Sequence, residues 1–342
     1  MRGKTTLLVL LAAAAGLAAA AGHGTVARPP SEVMRPPDEA AALAVRFDWA
    51  LGRAPKAAPG KFFWVGYSIE RLMGERSHIG SFYGGERSSD LSIADILAGR
   101  KLSTAASAED IRGAARAALD DIESKGKTEK KVLKDLGFFY KFTGGASPSL
   151  AEVHMSNLDL SFDFESAPLY WLGEATDPQS LELVKGFYAR ERDDEAREGL
   201  VAAAGCHGAP ALVVPFLAEV IGGGGPDELR KDAAFWMGQQ NDAEGLRILI
   251  KTARSDRSED VREGAVFGIS QVELPGAVDE LIALARSAEL GDVRKKAVFW
   301  LGQMASEKSE RALEEFARKD GDIEVQEQAV FALSQLPDNQ GV

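Results

Sequence analysis

Cys206 and His207 stand side by side, and a thiol next to an imidazole is the pairing that can generate a nucleophilic thiolate. The surroundings favour a different reading. Cys206 closes a predicted helix before the turn Gly208-Ala209-Pro210, which suits a small buried thiol. It is the only cysteine, so neither a disulfide framework nor a zinc site with several Cys ligands is available. His78 and His154 have Ser81 and Asp135 among many candidate partners. No Gly-x-Ser-x-Gly, His-Glu-x-x-His or phosphate-loop pattern accompanies them, so no triad, metal site or cofactor site is expected. Gly222–Gly225 has no following Lys and precedes Pro226, so it reads as an inserted loop.

The elements that carry these residues are set by a repeat. LYWLGEA from Leu169, LVAAAGC from Leu200, AFWMGQQ from Ala234, VFGISQV from Val266, VFWLGQM from Val298 and VFALSQL from Val330 are variants of one motif. Their small-residue landmarks, Gly173, Gly205, Gly238, Ser270, Gly302 and Ser334, are 32 or 33 residues apart. Self-similarity at that period is the mark of stacked helical hairpins.

Counting from position zero at Ala196, Leu229, Val261, Val293 and Val325, apolar residues recur at +4, +5 and +8. That spacing forms one buried face on a helix of about 13 residues. A second amphipathic helix follows each, as at Gly245–Ala253, Ala277–Ala285 and Glu310–Ala317. The position before zero is always acidic and the one after it is Arg197, Arg230, Arg262, Arg294 and finally Gln326.

The pattern Asp-Val-Arg-x-x-Ala-x-x-x-(Leu/Ile)-(Gly/Ser), standing as DVREGAVFGIS and DVRKKAVFWLG, resembles HEAT repeats of the phycobilisome-lyase-like type. The Phe-Trp-Leu-Gly-Gln variants are similar to those of exported bacterial HEAT-repeat proteins. The resemblance runs from about Ser166 to Pro337. It implies an α-solenoid whose Asp/Arg-bearing helices line the concave face, with pairs among Arg230, Arg262, Arg294, Asp260 and Asp292 linking successive repeats. Gln326 breaks that ladder in the last copy, and the first copy has Pro168 near its start and no Arg. Some relatives of the repeat perform lyase chemistry on bilins; the export signal and the lack of a recognisable site argue against it here.

Helix geometry places +7 beside the buried arc and +2, +3, +6 and +10 opposite it. Position +7 alternates large and small: Trp171, Ala203, Trp236, Gly268, Trp300, Ala332. A ring against Ala or Gly interlocks where two rings would collide, so Trp171, Trp236 and Trp300 read as inter-repeat packing residues, with a binding cage as the alternative. Position +2 alternates Glu198, Lys231, Glu263, Lys295 and Glu327, a charge ladder between neighbouring helices.

Position +6 holds Phe235, Phe267, Phe299 and Phe331, and +10 holds Gln239, Gln271, Gln303 and Gln335. Rings flanked by amides are what an extended peptide or partner helix can use. The competing reading is that the rings fill gaps between helices and leave only edges exposed.

Charge narrows the partner. The chain carries a net charge of −12, and the residues before 164 are close to neutral, so the acidity belongs to the repeats. A phosphate backbone would be repelled, which disfavours nucleic acid and favours a protein or peptide, most naturally a basic one. Part of the acid, at Arg192–Glu195, Ser258–Asp260 and Asp320–Asp322, precedes predicted helices and suits capping.

The remaining residues divide as follows. Residues 1–27, with basic Met1–Lys4 and apolar Thr5–Ala21, read as a signal peptide, an uncleaved anchor being the alternative. No other segment has membrane-spanning length. Residues 28–60 contain Pro29-Pro30 and Pro36-Pro37 and read as a linker with room for a short helix. Residues 61–164 read as a small α+β domain, with strands at Phe62–Ile69, Val132–Phe142 and Ala151–Phe164, a turn at Ser81–Gly85 and a helix from about Ser107 to Ser124. Leu158, Leu160, Phe162 and Phe164 should share one face of the last strand. Residues 165–342 then form a solenoid of about five and a half repeats, whose last helix is open to self-association or fraying.

The expected function is an exported, non-catalytic scaffold binding another polypeptide. The alternative is an enzyme or small-ligand receptor centred on the α+β domain.

Overall fold

The computed structural model describes residues 27–53, 62–80, 91–100, 130–145, 147–304 and 306–336. The stretch read as a signal peptide, up to residue 26, lies outside the described residues, as do the turn at Ser81–Gly85 and the helix expected from Ser107 to Ser124. The chain divides into two compact units between Leu183 and Val184, later than the boundary expected at 164.

The first unit is built on a five-stranded sheet. Its spatial order is β1 (Val33–Met34), β5 (Leu169–Glu174), β2 (Phe62–Gly74), β3 (Lys131–Thr143) and β4 (Ser149–Asn157). β5 runs parallel to both β1 and β2, whereas β2–β3 and β3–β4 are antiparallel. Both faces are covered, which explains why Phe63–Ile69 is buried without a break and not in alternation.

Helix α1 (Leu43–Arg53) lies on one face, its Phe47 ring 5.4 Å from that of Tyr140 and 6.0 Å from that of Phe142. The other face gathers Trp64, Phe139, Phe162, Phe164 and Trp171, with Ile93 at the start of the short helix α2 (Ile93–Leu97). Phe139 needs two glycines beneath it. A Cβ on Gly66 or Gly137 would come within 2.8 or 2.6 Å of its ring.

Three expectations are corrected in this unit. The short helix for which residues 28–60 had room is α1, but the described part, up to Arg53, is no mere linker, because Val33–Met34 pairs with β5 and Leu43, Phe47 and Ala50 are buried. Their i, i+4, i+7 spacing outweighs the nearby prolines. Second, β4 ends at Asn157; Leu158, Leu160, Phe162 and Phe164 are buried from a loop, not a strand.

Third, LYWLGEA from Leu169 is the strand β5 and not the first repeat helix. Its composition matches the later copies, but Pro168 occupies the +4 position, where a helix would lose a hydrogen bond and gain a clash. Gly173 accordingly takes φ +80°, outside helical geometry. Trp171 therefore belongs to the core of the sheet and makes no inter-repeat contact.

The second unit begins within α3 (Asp177–Arg190) and continues as α4 (Asp194–Gly205), α5 (Pro210–Gly222), α6 (Asp227–Gln239), α7 (Ala243–Ser255), α8 (Glu259–Gln271), α9 (Ala277–Ser287), α10 (Gly291–Met304), α11 (Glu307–Lys319) and α12 (Ile323–Ser334). Helices α4, α6, α8, α10 and α12 stack as one layer, and α5, α7, α9 and α11 form the other. Side-chain caps mark several starts: Asp193 accepts from Ala196 N–H, Ser258 from Val261 and Asp322 from Glu324. Among the described residues, no helix is long and apolar enough to cross a membrane.

Candidate interaction surface

Buried and exposed columns separate along the first layer. Position zero is 0% exposed in all five helices, and so is +4 at Leu200, Ala233, Ala265, Ala297 and Ala329. Position +5 follows until the end: Val201, Ala234, Val266 and Val298 are buried, whereas Val330 on α12 is 57% exposed. Each helix buries this residue under its successor.

The charged links differ in detail from those expected. Arg262 donates from Nε and Nη2 to Asp292 Oδ2 at 3.1 and 2.9 Å, as the pattern implies. Arg230 instead reaches Asp256, and Arg294 reaches Asp320 at 2.5 and 2.7 Å. Asp256 and Asp320 both lie five positions before zero of the following helix; Ala288 occupies that place before α10, and Arg262 uses Asp292 there. Asp260 is exposed in the first turn of α8, where it faces the helix dipole and takes no part in the Arg230 link. Gln326 turns back to donate to the Asp320 carbonyl oxygen, which ends the ladder. From +2 the links run to other columns: Glu263 pairs with Lys296 at +3 and Lys295 with Glu324 at −1.

Trp236 and Trp300 lean onto the preceding repeat in different ways. The Trp236 ring covers Gly205, where an added Cβ would lie 2.4 Å from it. Trp300 stacks on Phe267, with centroids 4.5 Å apart at 20°. Phe267 stacks in turn on Phe235 at 5.6 Å and 18°. Phe235 meets Trp236 edge-on at 5.1 Å, and Phe299 meets Trp300 edge-on at 5.0 Å.

A continuous row of half-buried rings therefore crosses α6, α8 and α10, joining two columns that the sequence treats separately. Phe331 on α12 is 52% exposed. Gln271 and Gln335 donate to Ser270 and Ser334 on their own helices. Gln239 is half-buried and Gln303 exposed, and neither side chain hydrogen-bonds another described residue.

One group beside this row has no periodic signal. Asp232 is the only carboxylate at +3, the other helices carrying Gly199, Gly264, Lys296 and Gln328. It precedes Phe235 and Trp236 by three and four residues, so the helix turns all three toward one side. Burial, and then the charge of Glu198 on α4, push its pKa up to about 7. Glu198 is itself raised, by burial and then by Glu228.

The residues first considered for chemistry are held structurally. Cys206 caps α4 and is 0% exposed, and the His207 Nδ1 lies 2.9 Å from the Ala203 carbonyl oxygen. His78 Nε2 lies 3.0 Å from Asp159 Oδ2 and 3.1 Å from Lys134 Nζ; Ser81 lies outside the described residues. His154 contacts Glu152 at 2.9 Å, and Lys141 binds both Glu152 and Glu165. The His154 bond, then Lys141, hold Glu152 down to about 2. Lys141 is raised by Glu165 and Glu152 against its burial, so it stays protonated and is not a free amine nucleophile. Among the described residues, no group of three or more His, Cys, Asp or Glu side chains is placed to hold a metal ion.

A family model described as HEAT repeats matches residues 214–298 and 278–342. Residues 214–342 of the helical unit are HEAT repeats. No curated protein matches the chain. Among solved structures, the CpcE–CpcF complex of phycocyanin lyase from Nostoc sp. is 18% identical, covering 45% of this chain and 97% of its own, with a TM-score of 0.35. Human deoxyhypusine hydroxylase is 20% identical over 46% of this chain and 62% of its own, with a TM-score of 0.31. The Cnd3–Cnd2 condensin subcomplex of S. pombe is 12% identical over 48% of this chain and 29% of its own, with a TM-score of 0.27. Identities and scores this low carry no activity over to this chain. The HEAT assignment rests on the repeat sequence and on the two stacked layers.

Proposed function

We propose that this chain is an exported, non-catalytic scaffold that holds another polypeptide on the aromatic, concave face of its HEAT repeats. The observation that carries the reading is the row Phe235–Phe267–Trp300, stacked across three successive repeats yet only half-buried. Rings that served packing alone would be covered, as the 0% exposed residues at zero and +4 are. Stacking fixes their rotamers in the free protein, so little side-chain entropy remains to be lost on binding. Gln239 and Gln303 alongside offer amides to a partner backbone. The basic, then apolar, start of the sequence supports export.

The test is affinity capture from the cells that make the protein, using wild type and Phe267→Ser/Phe299→Ser with matched thermal melts. Loss of one specific polypeptide from the variant supports the reading, and equal capture by both rejects the face as the site. Mass spectrometry of the mature N-terminus tests export: a chain that keeps Met1–Ala21 removes the cleaved-signal part of the proposal.

A further inference from the structure

The half-buried carboxylates at the repeat junctions follow a rule that Asp232 breaks. Asp256, Asp292 and Asp320, whose side chains are 11%, 14% and 8% exposed, each hold an arginine. Asp232 is likewise partly buried, yet it makes no hydrogen bond or ion pair with any described residue, and neither does Glu198 beside it. The neighbouring cation, Lys231, is held by Glu228 on its own helix. Glu198 at +2 of α4 and Asp232 at +3 of α6 hold the positions through which Glu263 pairs with Lys296 between α8 and α10. Two carboxylates thus share a partly desolvated place at the edge of the aromatic row, with Lys231 nearby but ion-paired to neither.

We propose that this pair is the cation-recognition end of the aromatic face: it receives one Lys or Arg side chain of an extended peptide, whose apolar residues then lie on Phe267 and Trp300. The inference rests on the reading of that face as a polypeptide-binding surface, and it adds the partner's chemistry and spacing. Charge complementarity selects the occupant. A cation seated between Asp232 and Glu198 relieves the mutual repulsion that, with burial, disfavours their ionised forms. An acidic or phosphorylated segment would add to the repulsion.

The spacing follows from helix packing. Neighbouring helix axes are about 8–10 Å apart, and an extended chain advances about 3.3 Å per residue. One step from α6 to α8, or from α8 to α10, therefore takes about three residues. Apolar side chains belong about three and six positions from the cation.

The probe is a dye-labelled peptide Ser-Arg-Ser-Ser-Leu-Ser-Ser-Leu-Ser, compared with its Arg-to-Glu counterpart by fluorescence anisotropy at low ionic strength. Full-length protein is used throughout. The Arg peptide should bind wild type, and Asp232→Asn/Glu198→Gln should weaken it tenfold or more. Phe267→Ser should weaken it as well. Glu219→Gln/Glu289→Gln removes two exposed charges away from the face and should change Kd less than twofold.

The proposal is overturned if wild type does not bind the Arg peptide, if the Glu peptide binds equally, or if Asp232→Asn/Glu198→Gln leaves Kd unchanged. An equal loss in Glu219→Gln/Glu289→Gln also overturns it, because bulk charge then explains binding. Weakening by Phe267→Ser alone would remove the cation site and leave the surface reading intact. Partner capture that also survives the Phe substitutions would remove both.

Discussion

Arg294 donates to both carboxylate oxygens of Asp320 across a repeat junction, at 2.7 and 2.5 Å, while its Nε donates to the Ala285 carbonyl oxygen at 2.9 Å. One guanidinium thus joins α10 to the end of α9 and to the loop before α12. The pair is nearly buried, at 18% and 8% side-chain exposure, so removing one partner strands the other charge. Arg294→Met should lower stability by about 2–4 kcal/mol. Lys295→Met removes a more exposed bond to Glu324, with 41% and 65% exposure, and should cost much less than Arg294→Met. Urea unfolding of the full chain compares the two. Equal losses would show that the junction pair contributes no more than a surface bridge.

Trp236 and Gly205 form a second junction, steric this time. The ring occupies the space in which any Cβ at 205 would stand. Gly205→Ala should cost about 1–3 kcal/mol by overpacking. Trp236→Ala should cost about 2–3 kcal/mol, less than for a fully enclosed ring, because Trp236 is only partly covered. In the double variant the new methyl enters space vacated by the ring, so the two losses should be less than additive. A double-mutant cycle from thermal melts checks this, and strict additivity would refute the contact.

Trp171 separates two readings of a single motif. Held in β5 among Trp64, Phe139, Phe162 and Phe164, it supports the sheet. Trp171→Phe should therefore lower hydrogen-exchange protection in β2 and β5 and leave α6, α8 and α10 unchanged. Faster exchange in the repeat helices, with the sheet intact, would restore Trp171 to the solenoid.

The contrast between these residues explains what the sequence could convey. The buried columns at zero and +4 recur with every helix, so the period exposes them. LYWLGEA has the same residue types, but its structure is decided by Pro168 and by pairing with β1 and β2, which a local pattern does not contain. The arginine ladder was legible on the Arg side only: Ala288 interrupts the column to which Asp256 and Asp320 belong. The stacked row stayed hidden because Phe267 and Trp300 sit in different columns and meet only through the offset between helices. Asp232 has no counterpart at +3 in any repeat, so no periodic reading could single it out.

Asp232 also predicts a dependence of stability on pH. Its folded-state pKa is about 7, raised from 3.8 by burial and Glu198, with Glu228 adding to the rise and Lys231 opposing it. Below about pH 4 the group is protonated in both folded and unfolded chains and contributes nothing to the difference. Between about pH 4 and 7 the unfolded chain ionises first and the folded chain binds more protons, so stability falls as pH rises through this window. Above it the loss is constant. Partial solvation of the side chain damps the effect to about 2 kcal/mol. Asp232→Asn cannot ionise, so it should match wild type near pH 4 and exceed its stability by about that amount at pH 8. Urea unfolding at the two pH values measures the difference. A variant with the same advantage at both would show that Asp232 does not titrate in this window. A peptide cation seated beside Asp232 should reduce the advantage, since it stabilises the ionised carboxylate that the free protein resists.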